Sequence, residues 1–210
     1  MANSNAARGL IPYKRASGEP YNSSGNIYYV PASYGTNLFV GDPVQIVSAS
    51  ADTQGIPSVR LITAGNGTDS GISTYGLIGA IMGIIPGGEP QIAVTRDLPV
   101  YHQASTAGYV LVCDDPDVLY MVQENGSMAG SSPYTAGSVT GPGKNVDLVS
   151  GAGSTVTGYS GWTLGSSSLS VSALQMRVMR MLEQADNQLG TNAKWLCRIN
   201  LNQLTNTTGT

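Results

Sequence analysis

Tyr109-Val110-Leu111-Val112-Cys113, then Asp114-Asp115-Pro116-Asp117, then Val118-Leu119-Tyr120-Met121-Val122-Gln123: this stretch decides the fold class. Both flanking runs are short and rich in β-branched and aromatic residues, the signature of strands rather than helices. The aspartates between them can cap a turn with their own side chains, and Pro116 fixes φ there. Strand, turn, strand predicts an antiparallel hairpin.

The same grammar extends in both directions. Ile27-Tyr28-Tyr29-Val30 reads as a strand closed by Pro31. Leu38-Phe39-Val40 passes through a Gly41-Asp42-Pro43 turn or kink into Val44-Gln45-Ile46-Val47. Further strands are expected at 59–62, 91–95 and 98–102, with polar loops at 48–58 and 65–73 and a firm turn at 86–90. Residues 75–85 are apolar but carry Gly76, Gly79 and Gly83. Interior glycine costs a helix about 1 kcal/mol each, so a bent, buried strand or strand pair is expected there. Residues 174–182 fit helix or strand. Residues 194–201 alternate, with Trp195, Cys197, Ile199 and Leu201 on one face. A polar loop joins these two runs, so an antiparallel pair is expected. The sum is an all-β chain, an antiparallel barrel or sandwich, and not a βαβ fold.

Five segments follow: an extended N-terminal arm at 1–26, the main β-domain at 27–124, a Gly/Ser-rich excursion at 125–172, a C-terminal hairpin completing the β-domain at 173–204, and a fraying tail at 205–210. The arm has no hydrophobic period, yet holds Leu10, Ile11, Tyr13 and Tyr21 beside Lys14 and Arg15. Such a segment cannot order itself but can order on a neighbour. These six residues are the predicted partner contacts. Trp162, an aromatic within the Gly/Ser-rich stretch, is the second choice, for contact between copies. The stretch itself reads equally as a flexible insertion or as a loop reaching over a partner.

Composition narrows the function classes. Charged residues make up 11% of the chain, against about 25% in ordinary soluble domains. Tyr outnumbers Phe eleven to one, and Tyr suits half-buried faces and wet interfaces. Both features fit a protein that is covered or assembled. The net charge is -3 and no basic run exceeds Lys14–Arg15, so nucleic acid is not expected as a partner. No apolar stretch reaches about 18 residues, so no membrane span is expected. The opening residues lack the layout of a secretory signal, which makes cytoplasmic synthesis the expectation.

Candidate chemistry is sparse. The single histidine, His102, would have to serve any Ser-His-Asp or Cys-His unit, and an ordinary strand histidine is the simpler reading. Cys113 and Cys197 lie in apolar runs and read as small buried hydrophobes. No Cys-x-x-Cys or His-x-x-x-His spacing supports zinc. Asp114, Asp115 and Asp117 could in principle hold Ca²⁺, but they lack the glycine and distal glutamate of an EF-hand loop, and turn-capping explains them. No glycine loop forms a phosphate-binding fingerprint. No catalytic, metal or cofactor site is predicted, and the chain is not expected to be an enzyme.

One resemblance stands beside this reading. Leu182-Glu183-Gln184-Ala185-Asp186-Asn187 followed by Asn192-Ala193-Lys194-Trp195-Leu196-Cys197-Arg198-Ile199-Asn200 resembles the end of small head proteins of tailed phages. Tyr29-Val30-Pro31-Ala32, the run from Leu38 to Val44, and Val112-Cys113-Asp114-Asp115-Pro116-Asp117 resemble the same group, the head decoration or cement proteins. The resemblance implies binding to the outer capsid surface, with the major capsid protein as partner. It also implies a homo-oligomer, dimer or trimer, located on the virion after assembly in the host cytoplasm. The rival expectation is a carbohydrate-binding, adhesin-type module of a head fibre or tail, which would show Tyr and Trp in an exposed row. On the cement reading, deleting residues 1–26 is expected to abolish capsid binding while sparing the fold.

Overall fold

The computed structural model describes residues 3–65, 72–85, 99–129 and 139–205. Among these residues twelve strands run in chain order: β1 (Ile11–Arg15), β2 (Asn26–Val30), β3 (Pro43–Ala51), β4 (Pro57–Leu61), β5 (Gly79–Ile85), β6 (Gly108–Cys113), β7 (Val118–Gln123), β8 (Asn145–Val146), β9 (Leu148–Val149), β10 (Thr163–Leu164), β11 (Met176–Met181) and β12 (Lys194–Ile199). One helical turn, α1 (Ile72–Tyr75), precedes β5. The chain is all-β, as its sequence predicts. Among the described residues no helix is long and apolar enough to cross a membrane.

Strands β2, β4, β3, β5 and β6 close into a barrel in that order. A five-stranded antiparallel sheet, ordered β1-β7-β12-β11-β8, packs against its flank, so barrel wall and sheet stack as a sandwich. All barrel pairings are antiparallel except β2 with β4, which run parallel at Tyr29 and Ser58. Val30, Val44, Val59, Ile81, Val110 and Val112 fill the barrel interior. A second, larger apolar layer lies between barrel and sheet. Ala80 and Cys113 reach it from the barrel, and Tyr120, Val122, Trp195, Cys197 and Val178 meet them from the sheet. Period-two alternation explains the division: Ile81 points into the barrel while its neighbour Ala80 points at the sheet.

The decisive stretch forms two strands, but they do not pair with each other. β6 pairs with β2 and β5 in the barrel, whereas β7 pairs with β1 and β12 in the sheet. The predicted hairpin is instead a crossing between layers. Its turn is capped as expected, with the Asp115 carboxylate accepting from the Asp117 N–H at 2.9 Å. Beyond that, each aspartate binds a different strand. Asp114 accepts from the Asn26 amide and the Tyr28 hydroxyl, both at 2.8 Å. Asp115 pairs with Arg15 at 2.7 Å, and Asp117 with Arg198 at 2.8 Å. Both faces of β6 and one face of β7 are apolar, so the two runs serve two cores better than one.

The N-terminal segment also departs from expectation. Residues 11–15 add β1 to β7 of the same chain, and Leu10 is fully buried in the layer between barrel and sheet. The segment is thus ordered on its own chain, because its aliphatic residues find an open strand edge there. Its entry is narrow: the Leu10 N–H donates to the Gly41 carbonyl at 2.8 Å. Gly9 and Gly41 both have positive φ, and a Cβ on either would come within 2.1 Å of a backbone oxygen of the other segment. No other residue fits that crossing.

The Gly/Ser-rich stretch folds back as well. From residue 139 onward it supplies β8 to the sheet, pairs β9 with β10, and buries Leu148, Trp162 and Leu164 between the layers. Its glycines permit tight backbone contacts, such as Gly151 against the Gly161 carbonyl. The C-terminal pair is present as β11 and β12, with a bulge between Val178 and Arg180. β5 is a single bent strand with a bulge between Ile81 and Gly83. Residues 48–51, expected as loop, continue β3, and an Asp52-capped turn makes the corner. The expected turn at 86–90 and strand at 91–95 lie outside the described residues, as do residue 98 of the 98–102 run, residues 66–71 of the 65–73 loop, residues 130–138 of the Gly/Ser-rich excursion, residues 1–2 of the arm and residues 206–210 of the tail.

Two buried carboxyl groups make the fold pH-dependent. Burial pushes Glu124 up to about 7 and Asp42 up to about 6. Glu124 accepts from the Met128 N–H at 2.5 Å. The Trp195 indole approaches the same carboxylate and counters the rise, though the contact falls short of a well-formed hydrogen bond. Asp42 accepts from the Phe39 N–H at 2.8 Å. Both folded pKa values exceed the unfolded ones, so the native state holds protons that the unfolded chain gives up. The contribution of these two groups is then greatest at acidic pH and falls as pH rises from about 4 to about 7, while buried His102, whose pKa is lowered, contributes in the opposite sense. Urea titrations isolate the carboxyl part: Glu124→Gln should make stability fall less, or rise more, between about pH 5 and 7 than in the wild type. Identical pH profiles for the two proteins would contradict this assignment. Leu10→Ala should cost about 2–5 kcal/mol of unfolding free energy, and removal of residues 1–26 should lower the melting temperature rather than spare the fold.

Candidate functional site

The seven residues singled out from the sequence separate into two groups. Ile11, Tyr13, Lys14 and Arg15 lie on β1 at the edge of the five-stranded sheet. Tyr13 is 45% exposed. Leu10 and Trp162 are buried, at 0% and 4%, and so are corrected from partner contacts to core residues. Tyr21 is half-buried against the same core, with its hydroxyl on the Ser24 carbonyl and the Met82 sulfur. Burial raises its pKa further above the normal tyrosine range.

β1 does not offer a clean strand edge. It carries Pro12, bulges between Pro12 and Lys14, and is partly covered by a turn in which Lys14 bridges to Pro20 and the Arg15 N–H donates to Glu19. These devices disfavour addition of a further strand. What β1 does is widen the outer face of the sheet. The core-facing residues of β7 and β12 are Val118, Tyr120, Val122, Trp195, Cys197 and Ile199, so their alternates face outward. Register partners share a face. Lys14, Leu119, Arg198 and Arg177 therefore form one cross-strand row, and Ile11, Met121, Leu196 and Arg180 form the next, with Gln123 and Lys194 beyond; Leu119, Leu196 and Gln123 are themselves buried on this side, so its accessible surface is made by the longer cationic and partly exposed side chains around them.

Five of the chain's ten lysines and arginines thus stand on one face: Lys14, Arg177, Arg180, Lys194 and Arg198. Carboxylates at the rim pair with three of them, Glu183 with Arg180, Asp186 with Lys194 and Asp117 with Arg198. These pairs are solvent-exposed on at least one side, so each contributes about 0–1 kcal/mol and can be exchanged for a partner's groups. Lys14 and Arg177 have no carboxylate partner among the described residues, and the Arg177 Nε donates to the Asn145 amide oxygen at 3.0 Å. Exposed Met179, at 43%, lies on β11 beside these cations.

This face was only partly legible. Lys14 and Arg15 stand out as the one basic pair, but Lys14 joins Arg177, Arg180, Lys194 and Arg198 only through β7, by way of Lys14 opposite Leu119 and Leu119 opposite Arg198, residues far apart in the chain. The available signal was their placement at the polar positions of alternating runs.

Other candidates are simpler. His102 is 5% exposed, neither ring nitrogen has a hydrogen-bond partner among the described residues, and burial lowers its pKa. Cys113 and Cys197 are free, buried thiols, and burial raises both pKa values. Among the described residues no group of three His, Cys, Asp or Glu side chains is placed to hold a metal ion.

No protein-family profile, curated protein or solved structure matches the chain. Tyr13 is 45% exposed, so Tyr13→Ala should change unfolding free energy by no more than about 0.5 kcal/mol, whereas Arg177→Ala also removes the bond to buried Asn145 and should cost about 0.5–1.5 kcal/mol, as chemical denaturation will report. A loss of several kcal/mol would show that the face is structural.

Proposed function

We propose that the chain is a non-catalytic structural protein that docks the outer face of its sheet onto an assembled protein shell, as a phage head decoration protein does. The carrying observation is the composition of that face. Arg, Tyr and Met are the side chains that interface cores favour, and Arg177, Arg180, Arg198, Tyr13, Met121 and Met179 lie together on it or at its edge. The sheet beneath is rigid, tied to the barrel through a continuous apolar layer, so binding need not order the surface first. The major capsid subunit is the proposed partner, and many docked copies on one shell make weak single contacts sufficient. Contact between copies, as a dimer or trimer, belongs to the same reading.

The carbohydrate-binding alternative has less support. Its aromatic platform would draw on the two tryptophans, and Trp162 and Trp195 are buried. The closing residues that resemble decoration proteins include Lys194, Trp195, Cys197 and Arg198, which build β12.

The test is co-sedimentation with purified phage heads lacking this protein, in the full chain and in face variants. Wild type should pellet with the heads, more weakly as salt rises from 50 to 500 mM. Arg177→Glu with Arg198→Glu should weaken binding at least about ten-fold, since truncated interface arginines often cost more than about 1.4 kcal/mol. Wild-type affinity in that double variant would defeat the proposed face, and absence of any head binding would defeat the function.

A further inference from the structure

Residues 3–10 run as a strap over the outer face of the sheet. The Asn3 side-chain amide donates to the carbonyls of Gln188 and Thr191, and its oxygen accepts from the Gln188 N–H at 2.8 Å. Midway, the Ala6 N–H donates to the Gln123 side chain at 2.9 Å, which in turn donates to the Asn5 side chain at 2.8 Å. The strap ends at Leu10, locked into the core. Beneath it lies a cavity of about 280 Å³. Ile11 and Met121 give its lining an apolar part, Gln123 and Gln184 a neutral polar part, and Arg8 and Lys194 are the two cationic residues of the lining.

These cations are poorly neutralised by the chain itself. Arg8 has no carboxylate partner among the described residues, and its guanidinium rests 4.8 Å from the centre of the Tyr159 ring. Lys194 shares Asp186 at 3.5 Å, and that aspartate is 71% exposed. In a chain of net charge -3, two such cations beside an apolar lining form a local trap for an anion with an apolar body. The volume lies just under the roughly 300–1,000 Å³ of small-molecule sites, so it suits one or two side chains rather than a cofactor.

We infer that this cavity receives an acidic segment of the partner protein, a glutamate or aspartate beside an aliphatic residue. The carboxylate lies between Arg8 and Lys194, the aliphatic group lies on Ile11 and Met121, and Gln184 supplies a neutral donor. The inference rests on the docking function above and adds the chemistry of the partner's contact. It places Arg8, a residue of the strap, in the binding surface together with the sheet.

The experiment uses the full chain and two synthetic peptides, acetyl-Ala-Leu-Glu-Leu-Glu-Ala-amide and its Gln-for-Glu counterpart, followed by amide NMR shifts. The acidic peptide should give saturable shifts at Ala6, Arg8, Met121, Gln123 and Lys194. The Gln peptide should bind at least about ten-fold more weakly, as should the acidic peptide to Arg8→Gln, because a hydrogen bond to a charged group is worth roughly 1.5–3 kcal/mol. Arg8 is exposed, so the variant keeps its fold, which its unchanged spectrum elsewhere will show. Absence of shifts, shifts elsewhere, or equal affinity for both peptides overturns the inference. Head binding by the wild type that persists unchanged in Arg8→Gln overturns it too and leaves the docking function standing. Peptide binding in a protein that never binds heads does the reverse.

Discussion

The structure hangs on one crossing of the chain between barrel and sheet, at residues 114–117. There the main chain leaves one β-layer for the other within four residues, and three consecutive-turn carboxylates fasten that corner to β2, β1 and β12. The Tyr120 hydroxyl adds a buried bond back to the Cys113 carbonyl at 2.8 Å. Because β6 and β7 each sit inside their layers, with partners on both sides, the corner sets the distance and angle at which barrel and sheet meet. The apolar layer between them, from Ala80 and Cys113 to Trp195 and Cys197, forms only at that spacing. Within the barrel wall the corner begins at an equally close contact of β5 with β6, where a Cβ on Gly79 would lie 1.7 Å from the Cys113 carbonyl oxygen.

The outer face of the sheet inherits its shape from this corner. Asp117 holds Arg198 at one end of that face, while Asp115 holds Arg15, the register partner of core-facing Val118, at the sheet edge, and the two pairs bring β1 and β12 to either side of β7. One of the carboxylates that join the layers therefore also tunes the charge of the docking surface. It offsets Arg198, but Lys14 and Arg177 in the same cross-strand row have no carboxylate partner among the described residues. A partner surface with acidic groups would meet Lys14 and Arg177 in that row and Arg8 of the strap toward the other end.

Local patterns carried the strands well. Ile27 to Val30, Val59 to Leu61, the β6 and β7 runs and the alternating Trp195, Cys197 and Ile199 all signal strand through short-range chemistry, and all are strands. Pairing was not legible in the same way. The Asp-Pro turn after Cys113 looks like a hairpin because the chemistry of a tight turn is the same whether the chain reverses in one sheet or steps to another. What decides is the number of faces to be buried, and that depends on strands 80 residues away. The N-terminal arm misled for a related reason. Leu10 and Ile11 are too few to order a free segment, but they suffice against an existing edge. Residues 139–172 look structureless by composition, yet Leu148, Trp162 and Leu164 anchor them, and the glycines around these anchors allow the backbones to touch. The docking face stayed hidden because Arg177 and Lys14 are neighbours only through three strand pairings.

The strap has a consequence in time as well as in space. Asn3 and the carbonyls it binds are separated by 185 and 188 residues. At translation rates of about 5–20 residues per second, roughly 10–40 s pass between synthesis of the two ends of that contact. The edge of the sheet is ready sooner: β7, which pairs with β1 and puts Met121 beside Ile11, is synthesised roughly 65 residues before Gln188. Closure of the strap therefore trails the pairing of the strands beneath it, and in that gap residues 3–8 of the nascent chain hang free over a half-built face, within reach of other nascent copies on the same message.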